Sequence, residues 1–187
     1  VGHWLGVFFG ALVLIIGGIF DDKYKLSPKV QIIFPVIAVL LTIVGGVGIE
    51  KITNPFGGYF YFDSINLELF SLGGVSFVFT VLSDLFIFLW LMGMMYTTKL
   101  LDGIDGLVTG LVGIGASIIF LFTMTTRYYQ PDIGFDSLVL AISCFGFLIF
   151  NWHPAKIFLG EGGSLFLGFL LGVLAIISGG KIAIALL

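Results

Sequence analysis

The sequence predicts an all-α polytopic membrane protein of about six transmembrane helices, with one small extracytoplasmic β-hairpin. Composition and the spacing of its apolar runs are the basis. Hydrophobic residues make up 59% of the chain and charged residues 10%, and the mean hydropathy is +1.19, which excludes a soluble domain of ordinary make-up. The apolar residues fall in runs close to the twenty or so that a helix needs to cross hydrocarbon. Eight Lys and Arg against eleven Asp and Glu leave a net charge of −3. No basic patch exists to neutralise phosphodiesters, so nucleic acid is not expected as a partner. The single Cys144 lies inside an apolar run and reads as packing.

The first run, Val1 to Phe20, stops on Asp21-Asp22. A helix C-terminus carries partial negative charge, so two carboxylates there need a positive partner nearby. A secretory signal would start basic and end on small residues, and this run does neither. Val30 to Ile49 is a second full-length run, with Pro35 in its first turns, where a missing N–H costs least. Between Glu50 and Gly74 lie Asn54-Pro55-Phe56-Gly57-Gly58, an aromatic stretch at 59–62, and alternating apolar and polar residues at 65–69. That period of two predicts the hairpin, its rings suited to a membrane interface. A third run, Val75 to Met95, holds Asp84. It reads as a cap on a helix starting near Ser83, the alternative being an intramembrane carboxylate.

A fourth run follows Asp102-Gly103-Ile104-Asp105-Gly106-Leu107 and extends to about Thr126, with Arg127 to Asp132 as a polar loop. A fifth, Ile133 to Phe150, is marginal in length and ends at Asn151-Trp152-His153-Pro154. A third glycine-rich motif, Gly160-Glu161-Gly162-Gly163-Ser164, opens the last run, which Gly179-Gly180-Lys181 interrupts. If every run crosses, all three acidic motifs share one face. Lys23, Lys25, Lys29, Lys99 and Lys156 lie on it, against Lys51, Arg127 and Lys181 opposite. That excess places the motifs in the cytoplasm.

Asp21, Asp22, Asp102, Asp105 and Glu161 thus gather beside lysines and two glycine turns that open helices. Two carboxylates about 4 Å apart repel by about 4 kcal/mol at an effective dielectric near 20, so an anionic ligand would need a bridging cation. Mg²⁺, held by one or two carboxylates together with substrate phosphates, suits that role. Glycine turns before helices aim backbone N–H groups at an anion. Phosphate chemistry at a membrane surface is the reading that uses all of these. A cation transporter would instead place its carboxylates near the midplane, where Asp84 is the one candidate.

These residues resemble the polyprenyl-phosphate N-acetylhexosamine-1-phosphate transferases. Asp21-Asp22 with Leu26-Ser27-Pro28 is similar to their first motif and Asp102-Gly103-Ile104-Asp105-Gly106-Leu107 to their second. Gly146 through Asn151, Pro154 to Phe158 and Gly160 to Ser164 are similar to their third. The resemblance implies transfer of a sugar 1-phosphate from a UDP-N-acetylhexosamine, of the UDP-GlcNAc type, to polyprenyl (undecaprenyl) phosphate, with release of UMP and with Mg²⁺. It implies a multi-pass protein of the bacterial inner membrane, with a homodimer as its expected assembly. Asp21 would deprotonate or orient the attacking phosphate, with Asp22 in support, a covalent aspartyl-phosphate being the alternative route. Lys29, Lys99, Asp102, Asp105, Asn151 and Phe158 fall at positions implied to bind substrate, Phe158 by stacking on the base, and Glu161 at the Mg²⁺ ligand.

The departures from the family pattern are Glu161 where Asp is usual, Lys99 where Asn is usual, and Gln31 and Pro35 where Lys and Gln are usual. Family members have about ten helices against about six here, so residues 1–187 are expected to be one transmembrane catalytic core, a fragment without the N-terminal helices and the C-terminal His-rich loop. His3 and His153 do not fill that loop's role. The phospho-MurNAc-pentapeptide translocase reaction and a non-catalytic nucleotide-binding relative are the remaining alternatives.

Overall fold

The computed structural model describes residues 2–48, 51–53, 59–61, 66–72, 75–125 and 129–179, with side chains described over 3–48, 83–125 and 129–179. The Asn54-Pro55-Phe56-Gly57-Gly58 stretch, Arg127 and Gly180-Lys181 lie outside these residues. Seven helices are described: α1 (Gly2–Tyr24), α2 (Pro28–Gln31), α3 (Ile33–Val44), α4 (Val81–Leu101), α5 (Leu107–Thr123), α6 (Pro131–Asn151) and α7 (Gly160–Ile177). Four strands lie between α3 and α4: β1 (Lys51–Thr53), β2 (Tyr59–Tyr61), β3 (Asn66–Leu72) and β4 (Val75–Thr80).

Among the described residues four helices are long and apolar enough to cross a membrane: His3–Tyr24, Ser83–Leu101, Pro131–Asn151 and Gly160–Ile177. The apolar helices Pro28–Val44 and Leu107–Thr123 are shorter. The second run therefore falls short of its expected full length, because the Gly45-Gly46 turn, with Gly46 at φ 86°, ends the helix at Val44. The fifth run, marginal in the sequence, gains three residues from Pro131 and Asp132 at one end and Asn151 at the other. Proline at the first helical position costs no hydrogen bond and extends α6 backward.

The strand pairing also differs from the expected hairpin. β1 pairs with β2, and β3 pairs with β4, each antiparallel, with no ladder between Tyr59–Tyr61 and Asn66–Leu72. Asn66 stands opposite Thr80 and Leu72 opposite Val75. The run from Val75 thus opens as a strand, Val75–Thr80, before the helix expected near Ser83, because hydropathy does not separate a short apolar strand from a helix. α4 begins at Val81, and Asp84 sits buried in its first turn, where the helix dipole favours a carboxylate.

α7 is the centre of the bundle. Leu167, Leu171 and Leu174 join Val112, Ala116 and Ile119 of α5 and Leu140 of α6 in one apolar cluster. Leu165, Phe169, Val173 and Ile176 join Leu14 of α1, Val39 of α3 and Leu91 of α4 in a second. Each set repeats at three or four residues, so α7 presents one face to each half. The outer helices turn Phe8, Phe9, Ile15 and Ile19 of α1 and Phe135, Ile142 and Ile149 of α6 outward, exposed. Helices apolar on both sides suit a lipid surround.

Glycines set how closely α7 is approached. A Cβ on Gly18 would lie 2.4 Å from Gly162 Cα, and a Cβ on Gly162 would lie 2.6 Å from Gly18 Cα. The α1 and α7 backbones therefore touch at this crossing, as small residues permit between membrane helices. At α4, a Cβ on Gly168 would meet Met94 O at 2.8 Å and Met95 Cα at 2.9 Å. Thr98 Oγ1 lies 2.8 Å from Ser164 O at the same junction.

Gly162→Ala is expected to lower stability by about 1–3 kcal/mol, since backbone must move to admit the methyl. Gly93→Ala, whose added Cβ meets nothing within 4 Å, is expected to be neutral or slightly stabilising. Thermal unfolding of both variants in one detergent checks the contrast.

Candidate functional site

The ends of six helices converge on two polar networks. In the first, α1 delivers Asp21 at its last turn. The chain then turns through Lys25, at φ 48°, and the Leu26 N–H donates to Asp21 Oδ1 at 3.0 Å. Pro28 starts α2 with the Ser27 carbonyl accepting from Val30 and Gln31 N–H groups. Gln31 is thereby returned to Asp21, its Nε2 lying 2.9 Å from Oδ1 and 3.0 Å from Oδ2. Lys99, at the last turn of α4, donates from Nζ to Gln31 Oε1 at 3.1 Å and to Glu161 Oε2 at 2.6 Å. Asp21, Gln31, Lys99 and Glu161 line one cleft with Gly17, Gly18 and Gly162. The positive partner that the Asp21-Asp22 stop requires is supplied from α4, 77 or 78 positions along the chain by the numbering.

The second network joins the glycine turn before α5 to the loop after α6. Asn151, buried at the end of α6, accepts at Oδ1 from Gly106 N–H and from Thr109 Oγ1, each at 3.1 Å. Its Nδ2 donates to Ile157 O at 2.9 Å. Asp105 Oδ2 lies 3.1 Å from His153 Nδ1 and accepts from Ala155 N–H at 3.2 Å. Gly106 adopts φ 74°, a conformation open to glycine, and leads into α5 at Leu107. Asp102 is therefore not the N-cap of that helix. It follows α4 directly, and burial pushes its carboxyl up to about 6.

The remaining predicted site residues stand around these networks. Asp22 is exposed beside Gly160, where an added Cβ would lie 3.5 Å from Asp22 Oδ2. This puts its charge at the N-terminus of α7, whose dipole favours it. Lys29 is exposed on α2, and Phe158 is exposed in the loop ahead of α7. Asn151 holds the loop from inside, its Oδ1 and Nδ2 both having internal partners. Gln31 was noted in the sequence only as a departure, yet it is the link between Asp21 and Lys99. The one signal for it is a lone amide in an apolar stretch, ten positions after Asp21.

Glu161, the predicted Mg²⁺ ligand, is engaged by the Lys99 ammonium. Both oxygens of Asp21 face the Gln31 amide. Among the described residues no three His, Cys, Asp or Glu side chains group as a metal site. A divalent ion at Glu161 would meet a fixed positive charge, so this arrangement does not fit magnesium. With side-chain exposures of 23% and 47%, the Lys99–Glu161 pair contributes at most about 1 kcal/mol to stability. Its main effect is to set charge in the cleft.

The family model for glycosyl transferase family 4 matches residues 4–179. The chain is 36% identical over 168 residues to a Bacillus subtilis (strain 168) protein named "Probable undecaprenyl-phosphate N-acetylglucosaminyl 1-phosphate transferase", covering 90% of this chain and 42% of that one. It is 29% identical over 182 residues to the decaprenyl-phosphate N-acetylglucosaminephosphotransferase of Mycolicibacterium smegmatis, covering 93% and 41%. A phospho-N-acetylmuramoyl-pentapeptide-transferase of Levilactobacillus brevis is 45% identical over 95 residues, covering 50% and 27%. The chain thus spans less than half the length of each.

Asp102 holds its proton up to about pH 6 in the folded chain and, when unfolded, releases it near 3.8. Between these values the folded form binds the extra proton, so this group makes stability fall as pH rises from about 4 to about 6. Asp102→Asn is expected to flatten that slope and to be more stable than wild type at pH 7. Melting curves across pH 4–8 check both.

Proposed function

Because the chain belongs to glycosyl transferase family 4, we propose that it forms the membrane-embedded core of a transferase acting on a UDP-N-acetylhexosamine and polyprenyl phosphate. A lipid phosphate oxygen attacks the sugar-bearing phosphorus of the donor. The new P–O bond forms as the bond to the uridylate oxygen breaks, giving polyprenyl diphospho-sugar and UMP. The observation that carries this reading is the meeting of three separate motifs at one end of the bundle, in two networks fixed by hydrogen bonds.

Asp21 takes the acceptor's proton or orients its phosphate, and Asp22, exposed beside Gly160, supports phosphate placement at the α7 N-terminus. Lys29 and Lys99 supply positive charge to the phosphates. Asp102 and Asp105 flank the uridine and sugar-nucleotide pocket, on a loop shaped by Asn151, and Phe158, exposed, stacks on the base. Glu161, held by Lys99, takes no metal-ligating part in this transfer.

The relatives named for N-acetylglucosamine favour UDP-GlcNAc as donor. The shared half-chain with a pentapeptide transferase supports the MurNAc-pentapeptide version as a second reading. In the bilayer, the four long helices and the two shorter ones would make six crossings, with β1–β4 on the outer side. Lys23, Lys25, Lys29, Lys99 and Lys156 put the motif end in the cytoplasm of a bacterial inner membrane. A homodimer remains the proposed assembly.

Membranes carrying the full-length protein are expected to release UMP from UDP-GlcNAc only when polyprenyl phosphate is added. Asp21→Asn is expected to reduce the rate by about 10²–10⁴-fold. Release from UDP-MurNAc-pentapeptide and none from UDP-GlcNAc would select the second reading. No release from either would remove the transferase assignment.

A further inference from the structure

The cleft contains a cation that the chain itself provides. A lysine ammonium has three hydrogens. One of them serves Glu161 Oε2 at 2.6 Å and another Gln31 Oε1 at 3.1 Å. Gln31 passes the link on to both oxygens of Asp21. One positive charge is thus tied to two carboxylates from different helices, a connection otherwise open to a bridging ion. The backbone that carries it is held in place: Thr98, the preceding residue, is buried against Ser164 O, and Gly168 admits α4 to backbone contact.

We propose that Lys99 holds the place of a divalent cation in this chain. Its third N–H, in the cleft, serves a phosphoryl oxygen, so the site takes a phosphate-bearing ligand without Mg²⁺. The inference rests on the nucleotide-sugar reading above for the identity of that ligand. A compact ammonium suits a single phosphate oxygen, where a guanidinium would demand two. Gln31 is a positioning residue in this scheme. Its carbonyl oxygen fixes Lys99 and its amide nitrogen fixes Asp21, so the two move as one unit. Glu161 is the counter-charge that holds the ammonium in the cleft. Any metal entering must displace Lys99 from Glu161 against like-charge repulsion in a half-buried setting.

The test uses the full-length protein in detergent, with Mn²⁺ uptake read by electron paramagnetic resonance and UDP-GlcNAc binding read by calorimetry in Mg²⁺ or in EDTA. Wild type is expected to take up no stoichiometric Mn²⁺ and to bind UDP-GlcNAc equally in both buffers. Lys99→Asn is expected to bind Mn²⁺ about a hundredfold more tightly than wild type, the cleft having lost its positive charge. Its UDP-GlcNAc binding should become sensitive to chelator. Stoichiometric Mn²⁺ in wild type that is lost in Glu161→Gln would overturn the proposal, as would UDP-GlcNAc binding abolished by EDTA. These wild-type arms decide the matter even if Lys99→Asn does not fold. Absence of UDP-GlcNAc binding in both buffers would defeat the nucleotide-sugar reading, while Mn²⁺ uptake would still decide the role of Lys99.

Discussion

The backbone contact between Gly18 and Gly162 is the constraint on which the polar end of the molecule depends. Neither position has room for a Cβ, so α1 and α7 cross at a distance that only glycine allows. Asp21 lies one turn beyond Gly18, and Glu161 lies beside Gly162. The crossing therefore delivers two carboxylates to one cleft. Apolar burial on both faces of α7 holds the crossing in place. In a lipid surround, where association of helices relies on close packing, such a contact is a natural anchor.

Bringing carboxylates together has an electrostatic cost, and the chain meets it with its own side chains. Lys99 reaches Glu161 from α4, and Gln31 spans the gap between Lys99 and Asp21. Gln31, Lys99 and Glu161 are three of the four positions at which the motifs depart from the family pattern. In the structure Lys99 bonds to both of the others, so the three form one altered unit. Pro35, the fourth, is buried within α3.

The second network is a scaffold with open edges. Asn151 ties the Gly106 turn to the segment ahead of α7, and Asp105 ties the same turn to His153 and Ala155. These bonds consume the polar atoms of Asn151 and leave Phe158 and Trp152 exposed at the rim. On the proposed reading, a nucleotide would meet exposed aromatic rings on a framework set beforehand, which lowers the ordering cost of binding.

The sequence by itself determined the membrane class, the acidic motifs and their place at helix ends, because hydropathy runs and Asp-Gly signals are local. It also determined the family, through motifs whose order survives without coordinates. It did not determine the strand ladders, since Val75–Thr80 is as apolar as a helix start, nor the length of α3, which a two-glycine turn cuts short. Only the tertiary structure decided that Lys99 pairs with Glu161, that Gln31 joins them to Asp21, and that Asn151 serves the loop. Those contacts join residues far apart in the chain, and their geometry follows from how closely α1, α4 and α7 approach. That approach is set by Gly18, Gly162 and Gly168, residues whose role lies in the absence of a side chain.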